Sequence, residues 1–222
     1  MTINDILKLD IQKKNFRKIE SFINHATKDS FDYYKAVSYK ALMFYKLSDV
    51  KEAITLLLTN LNETKNDDAI VSYSDSLIKI YLDLSDFEKA NRYIELKDSH
   101  LSPIDKQEHT KDLIMYYAKR RDSLHARENI NLYLNDDITL EDRIFVMRLL
   151  LDYAYEDNKL SEFNDNYEEV IKYYLDNDLK EDYQKLYLYK LNILFNNKKY
   201  EEDLTFIRSI DIEALRSEPN SI

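Results

Sequence analysis

Four histidines, 42 aspartates and glutamates, and no cysteine or glycine set the chemistry open to this chain. Histidine is the side-chain type best suited to carry a proton or bind a metal, and the four are His25, His100, His109 and His125. None stands in an HExxH pattern or in a close pair at helical spacing, so no zinc site is expected. Glu108-His109 reads as a surface pair. Without cysteine there is no thiolate nucleophile, thiolate metal site or disulfide. Without glycine there is no phosphate-cradling loop and no EF-hand turn, so Asp67-Asp68 and Asp136-Asp137 read as acids at helix starts and not as calcium ligands. Asn62-Glu63-Thr64 matches a glycosylation sequon by spacing alone. Paired carboxylates are too abundant to mark acid–base catalysis. The expectation is a chain without catalytic residues, metal or cofactor, and not an enzyme.

Charge points the same way. The net charge is −10, and Lys13-Lys14, Lys119-Arg120-Arg121 and Lys198-Lys199 are short runs flanked by acids, so direct nucleic-acid binding is not expected. No stretch reaches the ~20 apolar residues of a membrane span, and the N-terminus MTINDILKLD lacks an apolar signal core. A cytoplasmic protein of bacterial type is the simplest expectation. Nineteen tyrosines offer apolar bodies with polar tips, suited to helix seams or to a wet binding face.

Helices must position whatever the chain binds. The prolines are Pro103 and Pro219, and 33% charged beside 44% hydrophobic residues suits amphipathic helices. LSDVKEAI at 47–54 returns as LSDFEKAN at 84–91. Bulky markers at Phe16, Val50, Phe87, Leu124, Leu160 and Tyr200 extend the beat at intervals of 34, 37, 37, 36 and 40. That period indicates stacked helical hairpins. First helices are expected near 2–13, 31–46, 68–83, 103–119, 139–156 and 179–195, and second helices near 15–27, 49–61, 86–97, 122–134, 159–175 and 198–210. Ser30, Ser85 with Glu88, Ser102 before Pro103, Thr139 with Asp142, and Asp178 with Glu181 are the expected start signals.

The pattern Phe44/Val50/Ala53, repeated as Tyr81/Phe87/Ala90, resembles the tetratricopeptide repeat (TPR) family: an aromatic late in the first helix, a bulky residue opening the second, and alanine three positions on. At the second-helix alanine position the other units carry Ile19, Arg127, Phe163 and Asp203. The resemblance implies an all-α fold, a right-handed α-α superhelix (solenoid) of about six TPR-like hairpins over residues 1–210. A polar C-terminal tail or linker follows at 211–222. It also implies a concave groove that binds a protein partner or linear peptide. By register that groove holds Lys35, Tyr39, Ser72, Asp75, Lys79, His109, Asp112, Tyr116, Lys119, Arg148, Asp152, Tyr155, Lys185, Tyr189 and Asn192. A carboxylate-clamp function is not expected, because the matching positions Asn4, Lys8, Tyr39, Ser72 and Ser76 keep one cation. The alternatives are a peptide-sensing regulatory domain of the pheromone-sensor type, or the regulatory part of a larger signalling protein. Phe195, Leu204 and Ile207 are expected to lie uncovered. Such a face takes a partner, a downstream domain or a second copy.

Overall fold

A computed structural model describes residues 2–102 and 106–210. The described residues form helices throughout, with no strand among them. The chain divides into two compact units, Met1–Tyr133 and Leu134–Ile222, a boundary that falls within the span 1–210 read above as one repeat domain. The first unit holds α1 (Ile3–Leu7), α2 (Phe16–His25), α3 (Phe31–Lys46), α4 (Val50–Glu63), α5 (Asp67–Asp83), α6 (Phe87–His100), α7 (Lys106–Lys119) and α8 (Ser123–Tyr133). The second holds α9 (Leu140–Glu156), α10 (Leu160–Asp176), α11 (Lys180–Asn196) and α12 (Tyr200–Ser209). From α3 onward the helices pair as hairpins, each first helix packing on the second helix that follows it.

Capping explains where several helices begin. The Ser30 hydroxyl accepts from the Tyr33 N–H at 3.3 Å and Thr139 from the Asp142 N–H at 3.1 Å, as expected. Two expected caps differ. Asp86, not Ser85, caps α6, accepting from the Lys89 N–H at 3.2 Å. Asp178 sits one step too early, and Leu179 occupies the cap position of α11 without a side-chain bond. Pro103, the start of the helix expected from 103, and the tail 211–222 lie outside the described residues. The first helix is far shorter than the expected 2–13. It stops at Leu7, and residues 8–12 run irregularly. The Asn15 amide donates to the Asp10 carbonyl at 2.9 Å, and the Tyr39 hydroxyl donates to the Leu9 carbonyl.

The same hairpin turn recurs along the chain. At the end of α3 the Ser48 N–H donates to the Tyr45 carbonyl and the Asp49 N–H reaches back to Phe44 at 2.8 Å. This double closure caps a helix when the residue between takes positive φ, usually glycine. It repeats at Ser85, Arg121, Asn158 and Lys198 between the helices of each hairpin, and at Asp178 between α10 and α11, with φ between 53° and 67°. The sequence has no glycine to supply. Non-glycine residues in this region are strained by about 1–2 kcal/mol. Arg121→Gly is therefore expected to raise the unfolding free energy by roughly 0.5–1 kcal/mol, less than the full strain because glycine loses more entropy on folding. Urea denaturation checks this, and an unchanged or lower midpoint would contradict it.

The turns also correct the register of the third hairpin. Positive-φ residues at 48, 85, 121 and 158 precede helices that open at Val50, Phe87, Ser123 and Leu160. The opening of α8 is thus Ser123, and Leu124 is 63% exposed. Counting from Ser123, the expected alanine is Ala126, fully buried like Ala53 and Ala90. The late aromatic becomes Tyr117. Small residues at these crossings let helix backbones approach, with Leu57, Tyr73, Leu77 and Ile94 filling the core beside them. In the second unit Ile144, Leu151, Phe163, Val170, Leu186 and Ile193 form a separate core.

Candidate functional site

First helices α3, α5 and α7 line a cleft of about 460 Å³ in the first unit. Lys35, Tyr39, Ser72, Asp75, Lys79, Asp112 and Lys119 from the expected groove all border it. Its apolar surface comes from Leu7, Leu42, Ile78, Leu82 and Met115, with Leu7 and Leu42 each about two-fifths exposed. A second, more polar cleft of about 900 Å³ shares Lys35, Ser72, Asp75 and Lys79 with the first and adds Asp67, His100 and Glu108.

Tyr116 is the correction here. Its side chain is buried, ring edge against Phe87 at 6.1 Å, and its hydroxyl accepts from Arg120 Nη1 at 3.0 Å. Met115, one residue earlier, lines the cleft in its place, beside Asp112 and Lys119 of the expected set. His109 also lies off both clefts, with its Nδ1 3.6 Å from Asp98 Oδ1.

Most charges in the first cleft are committed to each other. Asp83 accepts from Lys119 at 2.9 Å and from the Tyr45 hydroxyl at 2.9 Å. Asp75 is held by Lys79 at 2.7 Å and by Lys97 at 3.2 Å. Lys35 and Lys46 have no ion-pair partner among the described residues, and the Lys35 ammonium stands 5.8 Å over the Tyr34 ring. Lys46 helps to hold the nearby Asp83 carboxyl low, so in a chain of net charge −10 Lys35 is the less committed of the two. They sit 11 residues apart on α3, or roughly 16 Å at the helical rise.

Lys97 is the residue that sequence reasoning missed. Its side chain is 2% exposed and joins three acids: Asp112 at 2.7 Å, Asp75 at 3.2 Å and Glu108 at 3.7 Å. One ammonium thus ties α6 to α5 and α7 at the wall of the second cleft. Burial works to lower the Lys97 pKa, but Asp112 and Asp75 hold it above the ordinary lysine value. Burial works to raise Asp75, and Lys79 with Lys97 overcome it and hold that carboxyl below its usual value. Burial also raises Asp112, and there it prevails, since Lys97 offsets it while Asp75 and Glu108 add repulsion. The signal was present in the sequence. Lys97 follows Ala90, Tyr93 and Ile94 at the three- and four-residue steps of a buried stripe.

The second unit gathers its expected groove residues into one aromatic cluster. Tyr155 and Tyr189 stack with centroids 4.0 Å apart and planes 5° from parallel. The Arg148 guanidinium lies 5.2 Å from the Tyr189 centroid, the Lys185 ammonium 5.4 Å. Asp152 holds Arg148 at 3.0 Å, and the Asn192 amide reaches the Tyr155 hydroxyl at 3.4 Å. The cluster is a pre-stacked aromatic surface with a cationic edge, a type enriched where proteins meet.

Among the described residues no group of three or more His, Asp or Glu side chains is placed to hold a metal ion. Nor is any described helix long and apolar enough to cross a membrane. No family model matches the chain, and no curated protein matches it.

Proposed function

We propose that the chain is a non-catalytic, TPR-like binding module: a cytoplasmic right-handed superhelix of about six hairpins that takes a protein segment or linear peptide. The observation that carries this reading is the cleft of the first unit. Three successive first helices border it, it has exposed leucines, and two lysines of α3, Lys35 and Lys46, form no close ion pair among the described residues. An apolar surface edged by fixed polar groups is the usual make-up of a recognition site. The preferred ligand is an extended segment with apolar side chains and an acid near each end. At ~3.3 Å per residue about five residues span the lysines.

Panning a random peptide library on the full chain tests this. Selected peptides should bind on the order of tenfold more weakly to Leu42→Glu and to Met115→Glu, each of which puts a charge into the apolar contact. Lys35→Glu with Lys46→Glu should weaken binding and flatten its salt dependence. Undiminished binding to all of these well-folded variants would reject the cleft.

A further inference from the structure

The last helix presents its apolar residues outward. No residue of α12 is buried. Phe206 packs inward against Tyr187 at 5.7 Å and Tyr167 at 6.2 Å. On another face Tyr200, Leu204 and Ile207 are 51%, 49% and 43% exposed. Their spacing of four and three residues places them on one stripe. Phe195, 60% exposed on α11, packs edge-on against Tyr200 at 5.7 Å and widens the patch.

The charges beside that stripe say what fits it. At 3.6 residues per turn, Glu201 and Arg208 lie along the same edge of the stripe, one near each end of the helix. Both are exposed, and neither has an ion-pair partner within the chain among the described residues, while the neighbouring Glu202 is taken by Lys199 at 3.0 Å. We propose that the outer face of α12 binds a second copy of this chain, the two α12 helices running antiparallel about a two-fold axis. In such a pair residue i meets residue j of the other copy and j meets i. With Leu204 near the axis, Glu201 falls opposite the second copy's Arg208, and Arg208 opposite its Glu201. The stripe therefore meets its own apolar residues, and the Glu201–Arg208 edge complements itself twice, whereas Asp203 on the opposite edge stands across the axis from its own copy. Antiparallel helices also set their dipoles in opposition.

Charge swapping tests the geometry. Sedimentation of the full chain from about 5 to about 500 µM covers the weak association expected of an interface this small. The mass should rise from 26.7 kDa towards twice that value. Glu201→Arg and Arg208→Glu should each weaken self-association on the order of tenfold, because two facing pairs turn from attractive to repulsive. Mixing these two variants one to one should restore association as a heterodimer, and the double swap should restore the homodimer. Leu204→Asp should be monomeric with unchanged helical circular dichroism. A wild-type monomer at every concentration would overturn the proposal, whether another protein or nothing takes the face. So would a dimer that ignores the charge variants, or one that appears only after residues 211–222 are removed, since the tail would then be the occupant.

Discussion

Methionine in place of Lys97 is expected to lower the unfolding free energy by about 3–5 kcal/mol at neutral pH, the usual cost of removing one partner from a buried ion pair. The ammonium is 2% exposed, and the Asp112 carboxylate beside it is 13% exposed, so water replaces little of what is lost. Asp75 keeps Lys79 at 2.7 Å. Among the described residues Asp112 is left with the repulsion of Asp75 and Glu108. Most of the cost therefore falls on Asp112, and Lys97→Met with Asp112→Asn should recover much of it. Urea denaturation with an unchanged slope reads the difference as a shift in midpoint. A Lys97→Met midpoint within about 1 kcal/mol of wild type would show the strut to be unimportant.

The three groups give the strut a defined pH dependence. Asp75 is held below the ordinary aspartate value of 3.8, so its stabilisation is present above that value and is lost as pH falls through its folded pKa. Asp112 is raised above 3.8, so between 3.8 and its folded pKa the native state binds the extra proton, and its contribution falls as pH rises. Lys97 is raised above 10.5, so its contribution is complete below 10.5 and is lost as pH climbs through its folded pKa. The Lys97→Met penalty should accordingly shrink in mild acid, where Asp112 takes a proton and no longer needs a cation.

The hairpin beat was legible because it rests on large contrasts: bulky residue, small residue and aromatic at fixed intervals. Val50 and Phe87 open their helices where the repeated phrase placed them, and Ala53 and Ala90 are fully buried. The third hairpin was misread by one residue because Leu124 looks like a core residue and Ser123 does not. The sequence has no glycine, yet six helix ends adopt the backbone that glycine favours, with Ser, Arg, Asn, Asp or Lys in its place. The closing hydrogen bonds of each turn outweigh a local strain that composition does not display. Lys97 stayed hidden for a different reason. A lysine is read as surface until its acids are seen, and those acids come from two other helices.

Aspartate at Ala53, Ala90 or Ala126 should cost more than about 4 kcal/mol, since each position is fully buried at a helix crossing and a carboxylate there has neither room nor a partner. Leu124→Asp should change stability by no more than about 0.5 kcal/mol, because that side chain is mostly in solvent. The pair Ala126 and Leu124 decides the register directly, since the sequence-derived marker predicts the reverse sensitivity. Hydrogen exchange adds a second reading. Hairpins that are held chiefly by their neighbours lose stability locally when one crossing is forced open. Ala90→Asp should then expose the amides of α5 and α6 to hydrogen exchange before those of α9 and α10, which build a separate core. Uniform loss of protection across both units would mean instead that the chain unfolds as one cooperative body, and the strut at Lys97 would have to be judged against the stability of the whole.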